Sequence, residues 1–273
     1  MGHQASFWHF ARADLHASYT NHQRTYLDTE DLSIWRRCGL QVRDSGDLYS
    51  NYQMIKSSTT QCRQVAQLVS HTLIWLVLRV MNFLASSSTD TLPAARQSTY
   101  DDLTSKLDDW HANLPLTFQP CAQVRHVIRP RRKPVAGGLA PASPCAFTEV
   151  FYSDKQCAAA TQLYHFARIM LLKARSSLLM DSAADTQADT IVQAVEHARS
   201  IIGIALGRPH PAVRVEMALP LYIAGTCLVD DAERGVVLEV LKAIEVDTGC
   251  STGMKVRTLV EDWGWPENLN GVS

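Results

Sequence analysis

The stretch Cys62–Leu84, CRQVAQLVSHTLIWLVLRVMNFL, decides the fold of this chain. Its apolar residues recur at steps of three and four, which is the period of an α-helix. Further apolar residues make this helix hydrophobic almost all round, as expected for a helix in the middle of a core. The sequence therefore predicts a long central helix with other helices packed around it.

The same period continues through the rest of the chain. Further helices are predicted at 149–179, 188–206, 213–229, 230–248 and 254–263. Pro220 should kink the third of these, because proline has no amide hydrogen to donate. We find no convincing strands and no alternation of strands with helices. The predicted class is all-α, an irregular multi-helix domain with a long Pro-rich basic loop in the middle.

That loop interrupts the helical pattern. Residues 114–144 contain six of the chain's eleven prolines, a density that excludes a continuous helix. We predict an N-terminal helical part at 1–113, a Pro- and Arg-rich loop or insertion at 114–147, and a C-terminal helical part of the same domain at 148–273. A basic group in the loop is either a solvated stretch or a nuclear-import segment. Its residues are Arg129, Arg131, Arg132 and Lys133.

Composition excludes several classes of protein. The 273 residues are 46% hydrophobic, and 26 Lys and Arg against 27 Asp and Glu give a net charge of −1. A disordered regulator or a basic nucleic-acid module would look different. The seven cysteines are widely spaced without a C-x-x-C pair, so we predict reduced thiols inside the cell. No signal peptide is visible, and the most apolar run, 72–84, is shorter than the roughly 20 residues of a membrane span.

Signatures of catalysis are absent from the sequence. It contains no G-x-S-x-G, H-E-x-x-H, P-loop or G-x-G-x-x-G motif. The pairs Asp101-Asp102 and Asp108-Asp109 lack the spacing that presents magnesium ligands on one helix face, so we interpret them as a solvated surface. We predict no catalytic, cofactor-binding or metal-ligating residue in this chain.

Two other groups of residues are candidate ligand sites. The histidines at positions 3, 9, 16 and 22 are six or seven residues apart, which does not place a metal-binding pair on one helix face. Trp263 and Trp265 flank Gly264 and could clamp a ligand or cap the last helix. We favour the cap, because the helix should end at this glycine and at Pro266.

Six motifs in a fixed order resemble the helical regulatory region of fungal zinc binuclear cluster transcription factors. They are W-x-x-x-R-x-D-L at Trp8–Leu15, L-x-x-W-x-x-x-L-P-x-x-F at Leu107–Phe118, Y-H-x-A from Tyr164, the helix from His197, the P-L-Y-x-A-G helix from Pro220, and W-G-W at Trp263–Trp265. Each is weak alone, but together they extend over nearly the whole chain. The family usually has Trp where Cys250 stands and often Gln at Ala218.

The resemblance implies a transcription regulator of the nucleus that controls metabolic genes, which in filamentous fungi include secondary-metabolite clusters. The family's DNA-binding head is a six-cysteine cluster that holds two zinc ions, and none of the cysteines here has that spacing. We therefore expect a truncated regulator that has no cofactor in this chain, zinc belonging only to a missing N-terminal cluster. DNA would be reached only through such a domain or a partner.

The expected partners are other transcription-factor chains or coregulators and a small-molecule effector, with no membrane. One alternative is a decoy, or dimerisation partner, that pairs with a full-length zinc-cluster regulator without binding DNA itself. A more remote alternative is an α-helical enzyme with an unrecognised site.

Overall fold

The computed structural model describes residues 2–43, 59–86, 93–128, 145–178 and 184–266. The basic group at Arg129, Arg131, Arg132 and Lys133 lies outside these residues. Ten helices and one hairpin are found in the described ranges. The elements are α1 (Gly2–Asn21), α2 (Leu32–Arg37), α3 (Thr59–Ala85), α4 (Pro93–Ala112), β1 (Ala122–Ile128), β2 (Cys145–Phe151), α5 (Lys155–Leu178), α6 (Ala184–Leu206), α7 (Pro211–Arg214), α8 (Ala218–Gly225), α9 (Asp231–Thr248) and α10 (Gly253–Asp262). The all-α prediction is confirmed.

The core is built on α3 and α5. Helix α3 packs against α1, α4 and α5, and α5 also packs against α6 and α8. By length and composition the segment Arg63–Ala85 could cross a membrane, but 72% of its most apolar window is buried inside the fold. Residues of α3 such as Leu73, Leu76 and Leu78 have no exposed surface. We therefore interpret α3 as the predicted central helix.

The expectation that the chain has no strands is wrong at one place. Strands β1 and β2 form an antiparallel hairpin in which Ala122 pairs with Phe151 and Ile128 with Cys145. The helix predicted from residue 149 accordingly starts only at Lys155. The hairpin also places ordered structure at both ends of the predicted loop 114–147, which further contains a 3-10 turn at Leu116–Phe118.

The hairpin lies directly on α6 because two glycines let the backbones meet. A Cβ atom added at Gly203 would lie 2.2 Å from the carbonyl oxygen of Thr148, and one at Gly207 would lie 2.2 Å from that of Val150. Only residues without a side chain allow this approach. The two glycines, four positions apart in α6, therefore fix where β2 lies on the helix.

The last two helices, α9 and α10, begin and end within one residue of their predicted boundaries, and the helix before them does not. The single helix predicted at 213–229, with a kink at Pro220, is found as two: α7 ends at Arg214, a 3-10 turn covers Val215–Met217, and α8 extends from Ala218 to Gly225. Pro220 lies in the first turn of α8, where a missing amide hydrogen costs no helical hydrogen bond. Helix α9 begins after Asp230, whose carboxylate accepts hydrogen bonds from the amides of Ala232 and Glu233. It ends at Gly249, which has a left-handed φ of 70°.

Replacing Asp230 with alanine is expected to lower the free energy of unfolding by about 1 kcal/mol, the usual cost of losing an N-cap. Two amides at the start of α9 would lose the carboxylate that satisfies them. Urea denaturation followed by circular dichroism measures the change. Glu239→Ala, an exposed acidic position on the same helix, should stay within about 0.5 kcal/mol of the parent chain. Equal losses in the two variants would contradict the capping role.

Candidate functional site

Residues from three of the resemblance motifs meet at one place in the structure. Trp110 of α4 stacks on Tyr164 of α5, with ring centroids 5.7 Å apart, and His111 stacks on the same tyrosine at 4.5 Å. His165 follows along α5 and contacts His197 of α6. We call His111, Tyr164, His165 and His197 the histidine cluster. It connects three helices whose motifs lie far apart in the sequence.

The centre of the cluster is a hydrogen bond between two imidazoles. Nδ1 of His165 lies 2.9 Å from Nδ1 of His197. One ring must donate and the other accept, so a proton on both Nδ1 atoms would break the contact. Burial lowers the pKa of both rings, and the Arg168 guanidinium lowers them further. For His197 the pKa falls to about 4, and the pair is therefore neutral at neutral pH.

This neutrality predicts a loss of stability in mild acid. Below pH 6.5 the imidazoles of the unfolded chain take up protons, while His197 in the folded chain stays neutral down to about pH 4. The unfolded state then binds more protons, so the free energy of unfolding should fall as the pH drops from about 6.5 to 4. The slope is about 1.4 kcal/mol per pH unit for each such imidazole. Urea denaturation at a series of pH values measures it.

The matched variant is His197→Asn, whose amide can still bond to His165 but does not titrate. Its stability should fall less steeply with decreasing pH, by about 1.4 kcal/mol per unit. Identical slopes for the variant and the parent chain would show that His197 is not held neutral by the fold.

A groove of about 670 Å³ opens beside the cluster. We call it the histidine groove. It lies between the end of α4, the hairpin, α5 and α6. Aromatic rings, polar side chains and short apolar side chains share its lining, which includes His111, Phe118, Gln123, Phe147, Tyr152, His165, Arg199 and Ile204. Its volume is that of pockets that bind small organic molecules, and its mixture of apolar walls with a few polar groups is typical of them.

Two ion pairs between helices lie next to the groove. Arg168 of α5 pairs with Asp108 of α4, and Arg199 of α6 pairs with Glu233 of α9 at 2.7 Å. In the acidic pair Asp108-Asp109, Asp108 therefore makes a surface contact between two helices. Asp102, from the other doublet, lies 2.5 Å from Nζ of Lys106. No magnesium-binding arrangement of these carboxylates is present in the described helices.

Several other residues singled out from the sequence have structural contacts. The indole of Trp8 donates to the carbonyl of Cys38 at 2.8 Å, and the buried carboxylate of Asp14 accepts from the amides of Tyr26 and Leu27 at 2.9 Å. The W-x-x-x-R-x-D-L motif thus fastens the segment after α1 onto that helix. His9 and His22 are exposed and His16 is half-buried, and the described residues contain no group of three potential metal ligands.

The closing aromatic motif forms a cap. The indole of Trp263 donates to the carbonyl of Gly225 at 3.3 Å, and the amide of Trp265 donates to the carbonyl of Val260 at 3.0 Å. The Arg234 guanidinium lies 5.3 Å from the centre of the Trp263 ring. These contacts tie the end of α10 to α8 and α9, as the favoured interpretation predicts.

Sequence reasoning missed the hairpin side of the histidine groove. Phe147 lies at the end of the predicted loop 114–147, and Tyr152 lies in the helix predicted at 149–179. The run from Phe147 to Tyr152 consists of aromatic and β-branched residues except for Glu149, a composition typical of a strand that could have indicated one.

Comparison with known proteins agrees with the order of motifs. The model of the family described as fungal specific transcription factor domain matches residues 52–265. A transcription activator of Alternaria alternata, AMTR1, is 31% identical over 283 aligned residues, which cover 95% of this chain and 36% of that protein. The chain thus spans about a third of the length of this curated relative. No solved structure matches the chain.

Proposed function

The chain belongs to the fungal-specific transcription factor domain family, and we propose that it is the regulatory region of a nuclear activator of metabolic genes, with secondary metabolism as the expected class. The observation that carries this proposal is the family match over residues 52–265 together with a relative named as a transcription activator. The family is one of transcription regulators, so we propose no enzymatic activity for the chain.

In this proposal the histidine groove receives a small-molecule effector. A ligand there would touch α4, α5, α6 and the hairpin at once, because all four contribute to the lining. It would favour the arrangement of helices to which it binds more tightly, which is how a ligand shifts a conformational equilibrium. Coregulators or other transcription-factor chains would then bind one arrangement in preference to the other.

A reporter assay tests the activating role. The full 273-residue chain is fused to a DNA-binding module of known recognition site and expressed with a reporter gene under that site. We expect reporter transcription well above that from the module alone. A silent fusion, despite normal protein levels, would contradict activation. If the chain, expressed together with a full-length zinc-cluster regulator, reduced the transcription that this regulator drives, the result would instead support the decoy alternative.

A second assay addresses the target genes. Deleting the gene in the source fungus should lower the transcripts of metabolic genes that it controls, and genome-wide transcript sequencing measures this. Unchanged transcripts of all biosynthetic genes under producing conditions would contradict the metabolic role.

The basic group in the loop gives a prediction on localisation. Changing Arg129, Arg131, Arg132 and Lys133 together to glutamine should shift a fluorescent fusion of the chain from the nucleus to the cytoplasm, because import receptors recognise short clusters of positive charge. Fluorescence microscopy measures the ratio. A matched variant in which Arg257 and Lys255 of α10 become glutamine should keep the parent distribution. Full nuclear retention of the fourfold variant would contradict an import role for these residues.

A further inference from the structure

A second cleft adjoins the histidine groove. It lies between the turn that joins β2 to α5 and the connection from α6 to α7, and its volume is about 620 Å³. Its lining is rich in basic side chains, so we call it the cationic cleft. The basic residues are Arg63, Lys155, Arg208 and His210.

The cations of this cleft have no carboxylate partner among the described residues. Within the part of the chain that the structure describes, Arg63, Lys155 and Arg208 make no ion pair. One carboxylate, that of Asp154, also lines the cleft. It accepts a hydrogen bond from the amide of Gln156 at 2.7 Å and is held at the start of α5. Among the described residues, three cations and one carboxylate therefore leave an excess of positive charge facing the space.

The backbone at Arg208 is held in a costly conformation. Its φ of 47° lies in the left-handed region, which residues other than glycine and asparagine seldom adopt. The preceding Gly207 is fixed by its close approach to Val150. An arginine is thus kept at a position where glycine or asparagine would be less strained. Such strained residues cluster at ligand sites, where the surrounding structure holds them in place.

The cationic cleft and the histidine groove share a wall. Val150 and Tyr152 line both spaces. They are two positions apart along the chain, Val150 in β2 and Tyr152 directly after the end of that strand. One ligand can therefore lie across them, with one end among the cations and the other among the aromatic rings and the neutral imidazole of His165.

We propose that the cationic cleft binds the carboxylate or phosphate of a small organic anion whose aromatic or aliphatic part extends past Tyr152 into the histidine groove. The proposal rests on the effector role proposed for the groove and names the chemical class of that effector. Opposite charge selects the acidic end of the ligand, and apolar area with hydrogen bonds selects its body.

Three probes separate these two contributions in a titration of the full chain. They are 2-naphthoate, the neutral 2-naphthamide of the same shape, and inorganic phosphate. Calorimetry at low salt should give an affinity for 2-naphthoate at least tenfold higher than for 2-naphthamide. Phosphate should compete with 2-naphthoate and leave 2-naphthamide binding unchanged, and raising the salt concentration should reduce the preference for the acid.

Variants locate the acidic end. Arg208→Gln and, separately, Lys155→Gln should each lower the affinity for 2-naphthoate about tenfold and leave that for 2-naphthamide unchanged. Arg257→Gln, an exposed arginine on α10, should change neither. Equal binding of the acid and the amide, failure of phosphate to compete, or an equal effect of Arg257→Gln would each overturn the proposal.

The outcome is independent of the reporter assay. An active reporter fusion without preference for 2-naphthoate would leave the activator role intact and remove the anion site. A silent fusion whose chain still binds 2-naphthoate through Arg208 and Lys155 would contradict the activator role and support the anion site.

Discussion

Replacing Trp110 with alanine is expected to lower the free energy of unfolding by about 3–5 kcal/mol, the range for a large buried aromatic side chain. The ring is 4% exposed, and its Nε1–H donates to the carbonyl of Val69 in α3 at 3.0 Å. It also packs edge to face on Phe118 and stacks on Tyr164. The substitution would leave a cavity where α3, α4 and α5 meet and would remove the side-chain hydrogen bond to the Val69 carbonyl. Urea denaturation followed by circular dichroism measures the loss.

Two further variants divide this effect. Trp110→Phe keeps most of the buried ring area and loses the hydrogen bond, so a smaller loss of about 1–3 kcal/mol is expected. Tyr26→Ala removes an aromatic ring that is 77% exposed and should stay within about 0.5 kcal/mol of the parent chain. If Trp110→Ala lost no more than Tyr26→Ala, the indole would not be part of the core.

The same substitution should also disturb the histidine groove. Phe118 and His111 line the groove. Phe118 packs directly on Trp110, and His111 stacks on Tyr164, which in turn stacks on Trp110. A ligand that binds there should bind Trp110→Ala less tightly even under conditions in which that variant is folded. Calorimetry with 2-naphthamide at low temperature measures this change.

The helices could be predicted from the sequence because their signals are local. The apolar period of α3, the acidic start of α9 at Asp230 and its glycine end at Gly249 are all contained within a few turns of chain. Where such a signal was present, the boundary found in the structure lies within a few residues of the prediction, as at α6 and α10.

The hairpin was missed because its stability is not local. A two-stranded hairpin is marginal by itself, and the sequence between the two strands contains four prolines. What stabilises β2 is its position on α6, which depends on Gly203 and Gly207 some fifty residues later. The sequence of β2 itself contains no signal that predicts this contact with α6.

The candidate site was predictable only in its parts. Trp110, Tyr164, His165 and His197 all belong to motifs that the sequence singled out, but their meeting depends on how α4, α5 and α6 pack. The cationic cleft lies outside those motifs. Arg63 comes from α3, Lys155 from the start of α5, and Arg208 from the connection between α6 and α7. Convergence of this kind is a property of the packed helices and not of any one segment.

Replacing Gly203 with alanine is expected to lower the free energy of unfolding by about 1–3 kcal/mol, the cost of forcing an extra methyl group into a packed interface. The new Cβ would lie 2.2 Å from the Thr148 carbonyl oxygen, which is a backbone atom and cannot rotate away. Strand β2 would have to move off α6, and the hairpin wall of the histidine groove would move with it. Urea denaturation measures the stability, and calorimetry with 2-naphthamide measures the groove.

The matched control is the same substitution at another helical glycine. Nothing lies within 4 Å of the Cβ position at Gly235 in α9. Alanine there should raise the free energy of unfolding by about 0.5–1 kcal/mol, because it restricts the unfolded chain and favours the helix. The two substitutions are chemically identical, so opposite signs can come only from their surroundings. If Gly203→Ala stabilised the protein, β2 would not lie on α6 as the structure has it. The histidine groove, which both elements line, would then not exist in the form described.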